Sequence, residues 1–518
     1  MGQEPFFIFG EEDFAWDEPE LRAEAAAAAL PVLAPVPLRR RRQTRTFAGD
    51  LARLREALGL SPLGLAVVFA FMVAATVTIR IVVGGGSAEL PAAGPAARQS
   101  PKPTQTPSAA PTVSSPAPAR PLERGDKGNG VRDLQAALLA LGFSTDAPDG
   151  AFGPGTAAAL AAFQGARGLE VDGVAGPLTA AGLVDLAVER AAEDAAAVEA
   201  GLSAAVEAGS LQDEEAERYR AVLEGSVTAM SPLPPGRSAT VGLALHDIAA
   251  NVSSLNGPRA LTLMTMLETN ARYLAEHPLP QSGDDVVGKD GVVYRYFPAH
   301  GLQFHPIANF AYLNGLVRKG ERGEVRRLAD ALVARAVPVG RALIWEYYFP
   351  FGGPPLWTSG FAQAVAAQAL ARSAALLDDQ RLFARARAAF SAIPAEYTME
   401  LAGGLWIQEY SYGGLAILNA QLQSLVSLSD YVRLAGDRRA QAVAARMDDA
   451  TRALLSRFDT GCWSRYALDG APATLHYHRY HVSLLRSLAR STGEPLWTET
   501  AARWDGYLRA GEQSGGCV

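Results

Sequence analysis

Eight stretches between residues 259 and 493 place apolar side chains every three or four positions, the spacing that lines one face of an α-helix. They run 259–278, 304–320, 324–337, 358–377, 380–393, 415–436, 438–458 and 481–493. Such stripes can be buried only helix against helix. Paired helices joined by short loops predict a mostly α fold, with an α/α toroid, or barrel, as its largest part. Between the helices lie aromatic, Gly-rich segments: "VVYRYFPAHGLQFHP", "WEYYFPFGGPPLWTSG", "GGLWIQEYSYGG", "TGCWSRYALDG" and "TLHYHRYH". In a toroid these segments gather at one end of the central cavity. An aromatic rim rich in hydroxyls suits carbohydrate, because sugar C–H faces stack on rings while hydroxyls take hydrogen bonds.

The 518 residues are too many for one ordinary domain and predict two or three units. From Leu60 to Ile79 the chain carries no charge, and 20 such residues rise about 30 Å as a helix, the thickness of a bilayer core. Residues 60–83 therefore read as one transmembrane helix. The arginines Arg39 to Arg45, Arg53 and Arg55 precede it and only Arg80 follows closely. The positive-inside rule then leaves 1–59 as a cytoplasmic, mostly unfolded tail and puts the rest outside the cytoplasm. Residues 84–121 are a Pro/Ala/Ser linker whose composition cannot bury a core. A net charge of −7 excludes the basic face of a nucleic-acid partner. Cys462 and Cys517, the two cysteines, make no disulfide framework and no cysteine-based zinc module, although they could pair outside the cell.

Residues 122–185 form a small unit. Val131, Leu134, Leu138 and Leu141 share a helical face, Leu160 and Phe163 belong to a second helix, and a third follows Gly176–Pro177. Asp-Gly-x-x-Gly-Pro occurs at Asp149–Pro154 and again at Asp172–Pro177. With G-x-x-V-x-x-L-Q and F-Q in the same order, the unit resembles the three-helix peptidoglycan-binding module, which implies affinity for cell-wall glycopeptide. Residues 186–229 read as a helical connector, and 230–512 as the last domain.

Within that last domain "WIQEY", "ILN", "DTGCWSRY" and "YHRYHVSLL" stand in order. Together with "YFPAHGLQFHP" and "WTSGFAQAVAAQALARSAALL", they make residues 295–510 similar to the C-terminal domain of D-glucuronyl C5-epimerases. The resemblance implies inversion of C5 of a glucuronate in a polysaccharide, without a cofactor or a metal. That reaction removes a hydrogen α to a carboxylate and returns one on the opposite face. It needs two acid/base groups flanking a flat intermediate and donors around the carboxylate, where charge grows. Carried over motif by motif, the family's catalytic tyrosines fall on Tyr410, Tyr466 and Tyr477, with Glu409 beside the first. Tyr466 and either Tyr410 or Tyr477 would flank the sugar. His478 and His481 would orient a tyrosine or bind the uronate, with Asn419, Arg465, Arg479, Gln363 and Tyr348 as further substrate contacts.

"TLHYHRYH", residues 474–481, also admits two other readings. H-x-H-x-x-H offers imidazoles to zinc, but no carboxylate lies within the segment, and on a helix only His478 and His481 are neighbours. The rings could also simply fill space at a helix N-terminus. The chain departs from the family where "YALDG" puts Asp469 at an arginine position, where His476 replaces an aspartate, and where "QEYS" replaces "EEYP". A lost arginine beside an anionic polymer matters, so the polymer is open. The expectation is an anchored enzyme held near peptidoglycan, acting on a uronate polysaccharide; the alternatives are a lyase or hydrolase on the same toroid and a non-catalytic glycan-binding protein. The acidic "GDDVVGKDG", 283–291, reads as a turn rather than a calcium loop.

Overall fold

The computed structural model describes residues 120–144 and 146–514, all within one compact unit. The first elements are α1 (Asn129–Ala140), α2 (Pro154–Ala166) and α3 (Pro177–Glu207). The repeated Asp-Gly turns of this module are tied down by glutamines. Gln135 donates to Asp149, Ala151 and Thr156 at 2.7–3.1 Å and accepts from the Gly150 N–H at 2.7 Å. Gln164 repeats the pattern on Asp172, Val174 and Gly173. Each motif glutamine thus replaces the water that a buried turn would otherwise lose. Helix α3 runs 31 residues, without a break at the expected boundary between module and connector. It is followed by α4 (Asp213–Thr228) and α5 (Pro235–Ala249), and α5 packs on both α1 and α3.

The remaining chain is a series of helix pairs. α6 (Gly257–Glu276) packs on α4 and α5. A three-stranded antiparallel sheet follows, β1 (Asp285–Val287), β2 (Val293–Phe297) and β3 (Gly301–Phe304), with Tyr294 opposite Phe304. Then α7 (Pro306–Lys319) pairs with α8 (Arg322–Ala334), α9 (Gly360–Leu377) with α10 (Gln380–Ser391), α12 (Leu418–Ala435) with α13 (Arg438–Leu454), and α14 (Leu475–Thr492) with α15 (Pro495–Ser514); the short α11 (Ile393–Glu396) follows α10. Four of these helices pack in succession: α7 on α9, α9 on α12, and α12 on α14. Fourteen of the 18 residues of α9 are buried, whereas α8, α10 and α13 bury single stripes. The first set is therefore an inner layer and the second an outer one. Side-chain caps fix the starts, from Ser359 onto the Ala362 N–H and from Asp437 onto the Arg439 and Ala440 N–H groups.

Three two-stranded hairpins lie between helices: β4 (Val337–Val339) with β5 (Ala342–Ile344), β6 (Glu346–Tyr347) with β7 (Trp357–Thr358), and β8 (Thr398–Leu401) with β9 (Gly404–Ile407). Ala402 and Gly403 both take positive φ, 50° and 80°, the primed turn that matches strand twist.

The expected fold class needs one correction. The chain is mostly helical, but among the described residues no helix is long and apolar enough to cross a membrane. The described fold thus holds no transmembrane helix; residues 60–83, to which one was assigned, lie outside the described residues, as do 1–59 and most of the 84–121 linker. Cys462 is disulfide-bonded; Cys517 lies outside the described residues. The "GDDVVGKDG" stretch forms the β1–β2 hairpin, in which Asp285 is held by Arg295 at 2.7–2.8 Å.

Candidate active site

Strand β9 does not stop at Ile407 in effect. The Gln408 N–H donates to Tyr397 O and Gln408 O accepts from Gly360 N, both at 2.9 Å, while Ser411 N reaches Thr358 O at 3.0 Å. This clasp carries Glu409 and Tyr410 across the start of α9. It depends on Gly360, where a Cβ would stand 2.6 Å from Tyr397 Cβ and 2.7 Å from Gln408 O. Tyr466 arrives from another loop, its carbonyl accepting from Leu418 N at 3.0 Å. Tyr477 sits in the first turn of α14, whose N-cap Thr474 accepts from the Tyr477 N–H at 3.4 Å.

The three phenols meet. The Tyr466 and Tyr477 rings are 4.7 Å apart between centroids. Tyr410 lies within electrostatic reach of both Tyr466 and Tyr477. Burial pushes the Tyr410 phenol well above its usual range, and Glu409, Tyr477 and Tyr412 push the same way; Tyr466 opposes them. Glu409, Tyr466 and Tyr477 are all buried.

Beside Tyr410 and Glu409 lies a cavity of about 20 Å³, walled by Phe297, His305, Tyr347, Phe349 and Trp357 among others. That holds roughly one water, not a sugar. Two Gly-rich loops close it: the Tyr412 hydroxyl donates to Phe351 O, and a Cβ on Gly353 would lie 2.6 Å from the Tyr412 ring.

His478 and His481 share one face of α14 and are fully buried. His478 stacks on Trp463 at 3.9 Å, donates from Nε2 to Trp504 O at 3.0 Å, and accepts at Nδ1 from Ser464 N at 3.0 Å. The Ser464 hydroxyl lies 2.8 Å from Nδ1 of both histidines. Burial lowers His478, and pushes His481 down to about 3 with help from His478 and His476, so both are neutral. They anchor the Tyr466 loop to α14 through Ser464. Among the described residues no three His, Cys, Asp or Glu side chains are grouped as metal ligands.

The other expected contacts scatter. Asn419 is buried in the first turn of α12, next to the Leu418–Tyr466 bond. Gln363 is buried in the first turn of α9, donating to Leu343 O and Ala389 O and accepting from Trp345 N. Tyr348 donates to Glu346 at 3.1 Å, and Glu346 is clamped by Arg259 with two contacts of 2.7 Å. Arg465 donates to Gly470 O at 2.6 Å, and Arg479 is exposed. Asp469, at φ 57°, pairs with Arg457 on the surface. The residue type "aromatic, between helices" picks out Tyr347, Phe349 and Trp357 as readily as Tyr348. Strand alternation from β6 decides, because Tyr347 and Phe349 point one way and Glu346 and Tyr348 the other. Tyr347 and Trp357, paired in register, stack at 3.8 Å. His305 and Tyr412 had no individual signal in the sequence.

Residues 341–506 match the model of the D-glucuronyl C5-epimerase C-terminus. Residues 127–183 match that of the peptidoglycan binding domain. The first of these matched stretches contains Tyr348, Gln363, Glu409, Tyr410, Asn419, Tyr466 and Tyr477. A D-glucuronyl C5-epimerase of Caenorhabditis elegans is 29% identical over 179 residues, 30% of this chain and 29% of that enzyme. An uncharacterised protein in the bpoA1 3′ region of Kitasatospora aureofaciens is 44% identical over 59 residues, 11% of this chain and 50% of that protein. The chain thus spans under a third of the first relative's length and half of the second's. Among solved structures, an endoglucanase from Komagataeibacter sucrofermentans aligns with 12% identity over 38% of this chain and 71% of its own, at a TM-score of 0.29; a likeness that weak carries no argument.

Proposed function

We propose that the protein inverts C5 of a glucuronate residue in a surface or cell-wall polysaccharide, working outside the cytoplasm with its module on peptidoglycan. The observation that carries the reading is the meeting of Tyr410, Tyr466 and Tyr477, drawn from three separate segments, beside Glu409. A C5 hydrogen α to a carboxylate is a poor carbon acid, and a phenol, with a pKa of about 10, is better matched to it than a carboxylic acid. Held far above that value, Tyr410 stays protonated and serves as the acid. A base on the opposite face, Tyr466 or Tyr477 as phenolate, takes the C5 proton. Tyr410 then donates to the carbanion and is left as phenolate. Once the product has left, return of the proton from the base to Tyr410 resets the pair. The bonded Cys462 supports a location outside the cytoplasm, since disulfides persist in oxidising compartments. The cavity must widen before a sugar enters, and the Tyr412 latch marks where.

The test incubates the protein with several uronate polymers in D₂O and follows C5 by NMR. Deuterium uptake without chain cleavage is expected, with Tyr466→Phe and Tyr477→Phe losing 10²-fold or more, the usual scale for an acid/base group. Cleavage with an unsaturated end would replace the epimerase by a lyase. No change in any polymer would leave a glycan-binding protein.

A further inference from the structure

A second cavity, of about 660 Å³, lies where the module meets the C-terminal domain. It is far larger than the space beside Tyr410 and of the usual size for a small-ligand site. Its walls come from α1, α3, the start of α5 and residues 276–279. Because α1 and α3 both pack on α5, packed helices hold these walls together. Leu122, Leu134, Ala180, Leu183, Pro235 and Leu279 make the lining mainly apolar. Two half-buried cations interrupt it, Arg132 from α1 and Arg237 from α5. Arg132 donates to Leu279 O and, at 3.2 Å, to Pro280 O. Arg237 donates to Leu274 O and His277 O at 3.0 and 3.2 Å. Both guanidinium groups therefore lie along the 274–280 segment that supplies one wall. Each spends a single terminal nitrogen there, on neutral carbonyls, and among the described residues neither arginine has an ion-pair partner or a further side-chain hydrogen bond. The Asp133 carboxylate, within electrostatic reach of both, is taken by the Gly236 and Arg237 N–H groups. The remaining charged groups of the lining are exposed: Glu276 stands 3.9 Å from His277, and Arg120 pairs with Asp126.

We infer that this cavity takes the peptide stem of the wall polymer, with Arg132 and Arg237 gripping its carboxylates and the aliphatic walls covering its small side chains. The inference rests on the reading of the module as bound to peptidoglycan and gives that contact a place, one wall from the module and the facing wall from the C-terminal domain. The chemistry favours a carboxylate-bearing peptide over the bare glycan strand. A planar guanidinium matches a carboxylate through paired N–H groups. A neutral sugar strand would call for rings to stack on, and among the described residues no aromatic side chain lines the cavity. A ligand held between walls from both parts also stabilises the joint, since it binds the closed arrangement alone.

The test uses the full chain and three soluble probes: N-acetylmuramyl pentapeptide, the same compound with its carboxyl groups amidated, and neutral chitotetraose. Affinity is read by calorimetry, the joint by thermal unfolding, and binding to the whole wall by sedimentation with insoluble peptidoglycan. R132Q and R237Q remove the cations, while A180F fills the cavity and leaves both arginines in place. The pentapeptide is expected to bind and to raise the unfolding midpoint, and the amidated compound and chitotetraose to bind at least about tenfold more weakly. Each variant should weaken pentapeptide binding about ten- to hundredfold, the usual loss for a charged hydrogen-bonded contact. Equal affinity for free and amidated pentapeptide overturns the inference. So does sedimentation with the wall when the pentapeptide does not bind, or when A180F binds it within about threefold of wild type; the module reading then survives with its contact elsewhere. Loss of binding in R132Q and R237Q that tracks a fall in unfolding midpoint, with A180F unaffected, makes the arginines a tie between helices only and also overturns it. Failure of the wild-type chain to sediment with the wall overturns the module reading and this inference with it.

Discussion

The joint between module and C-terminal domain offers the sharpest stability prediction. Helix α5 begins with Pro234 and Pro235 and has no side-chain cap of its own. The cap comes from the module: Asp133 on α1 accepts from the Gly236 and Arg237 N–H groups at 2.9 and 3.2 Å. The approach is so close that a Cβ on Gly236 would lie 2.1 Å from Asp133 O. Asp133→Ala removes an N-cap, which costs about 0.5–2 kcal/mol, and leaves two N–H groups short of a partner at the joint, where a buried orphan costs about 1–3 kcal/mol. Partial access to water returns some of this, so the net loss should be about 2 kcal/mol, a factor of about 30 in the opening equilibrium. Hydrogen exchange of the first-turn amides of α5 should speed up by that factor, and urea unfolding should shift by a like energy. The carboxyl is also pushed above its usual value, chiefly by burial, against the bonds from Gly236 and Arg237. A carboxyl raised in the folded state binds its proton more tightly there than in the unfolded chain. Its contribution therefore falls as pH rises from about 3.9 through the folded value. Asp133→Asn should lose that slope. If Asp133→Ala matches wild type in both exchange and urea midpoint, α5 is not capped from the module and the joint is held by apolar contact alone.

Three further outcomes are expected. His481, neutral with its pKa pushed down to about 3, must be deprotonated in the fold; the unfolded chain therefore binds the extra proton below about 6.5, and stability should fall by up to about 1.4 kcal/mol per unit as pH drops from 6.5 toward 3. His481→Phe, read by urea unfolding at several pH values, should flatten this slope, and an unchanged slope would refute the assignment. Tyr412→Phe frees Phe351 O and should speed hydrogen exchange in residues 350–356 and 411–415 more than elsewhere; equal rates would show that the hydroxyl is no latch. Gln135→Ala breaks four turn contacts and should destabilise the module by about 1–3 kcal/mol, seen as proteolysis first in residues 146–153.

The inner helices were legible because a 3.6-residue apolar period survives any tertiary arrangement. The expected C-terminus of α9 and the expected start of α13 match the observed ones, while the other ends differ by two and four residues. The exception is α14, whose apolar stripe suggests a start near His481. Thr474 caps it at Leu475 instead, and this brings "LHYHRYH" into the helix. The consequence is chemical. Spacing of three puts His478 and His481 on the inner face, against Ser464, while Tyr477 lies one residue round and turns to Tyr466. The same eight letters read as a loop would have offered all five rings to one ligand. Helix α5 went unseen because its stripe is weak and its start is proline-rich.

What decides the site is register, and register is poorly written in local sequence. "WEYYF" holds five large side chains in a row, any of which suits a sugar rim. Pairing Tyr347 with Trp357 sends Tyr347 and Phe349 to the cavity and Tyr348 to Glu346 and Arg259. Shifting the pairing by one residue would exchange the two sets and place Glu346 against Glu409, two carboxylates in a dry space, each raising the other's cost of ionisation. The Arg259–Glu346 clamp makes that slip still dearer, since it would bury an arginine without its partner. The ion pair on the far side of the strand therefore selects which aromatic rings line the cavity beside Tyr410, although neither of its members touches that cavity.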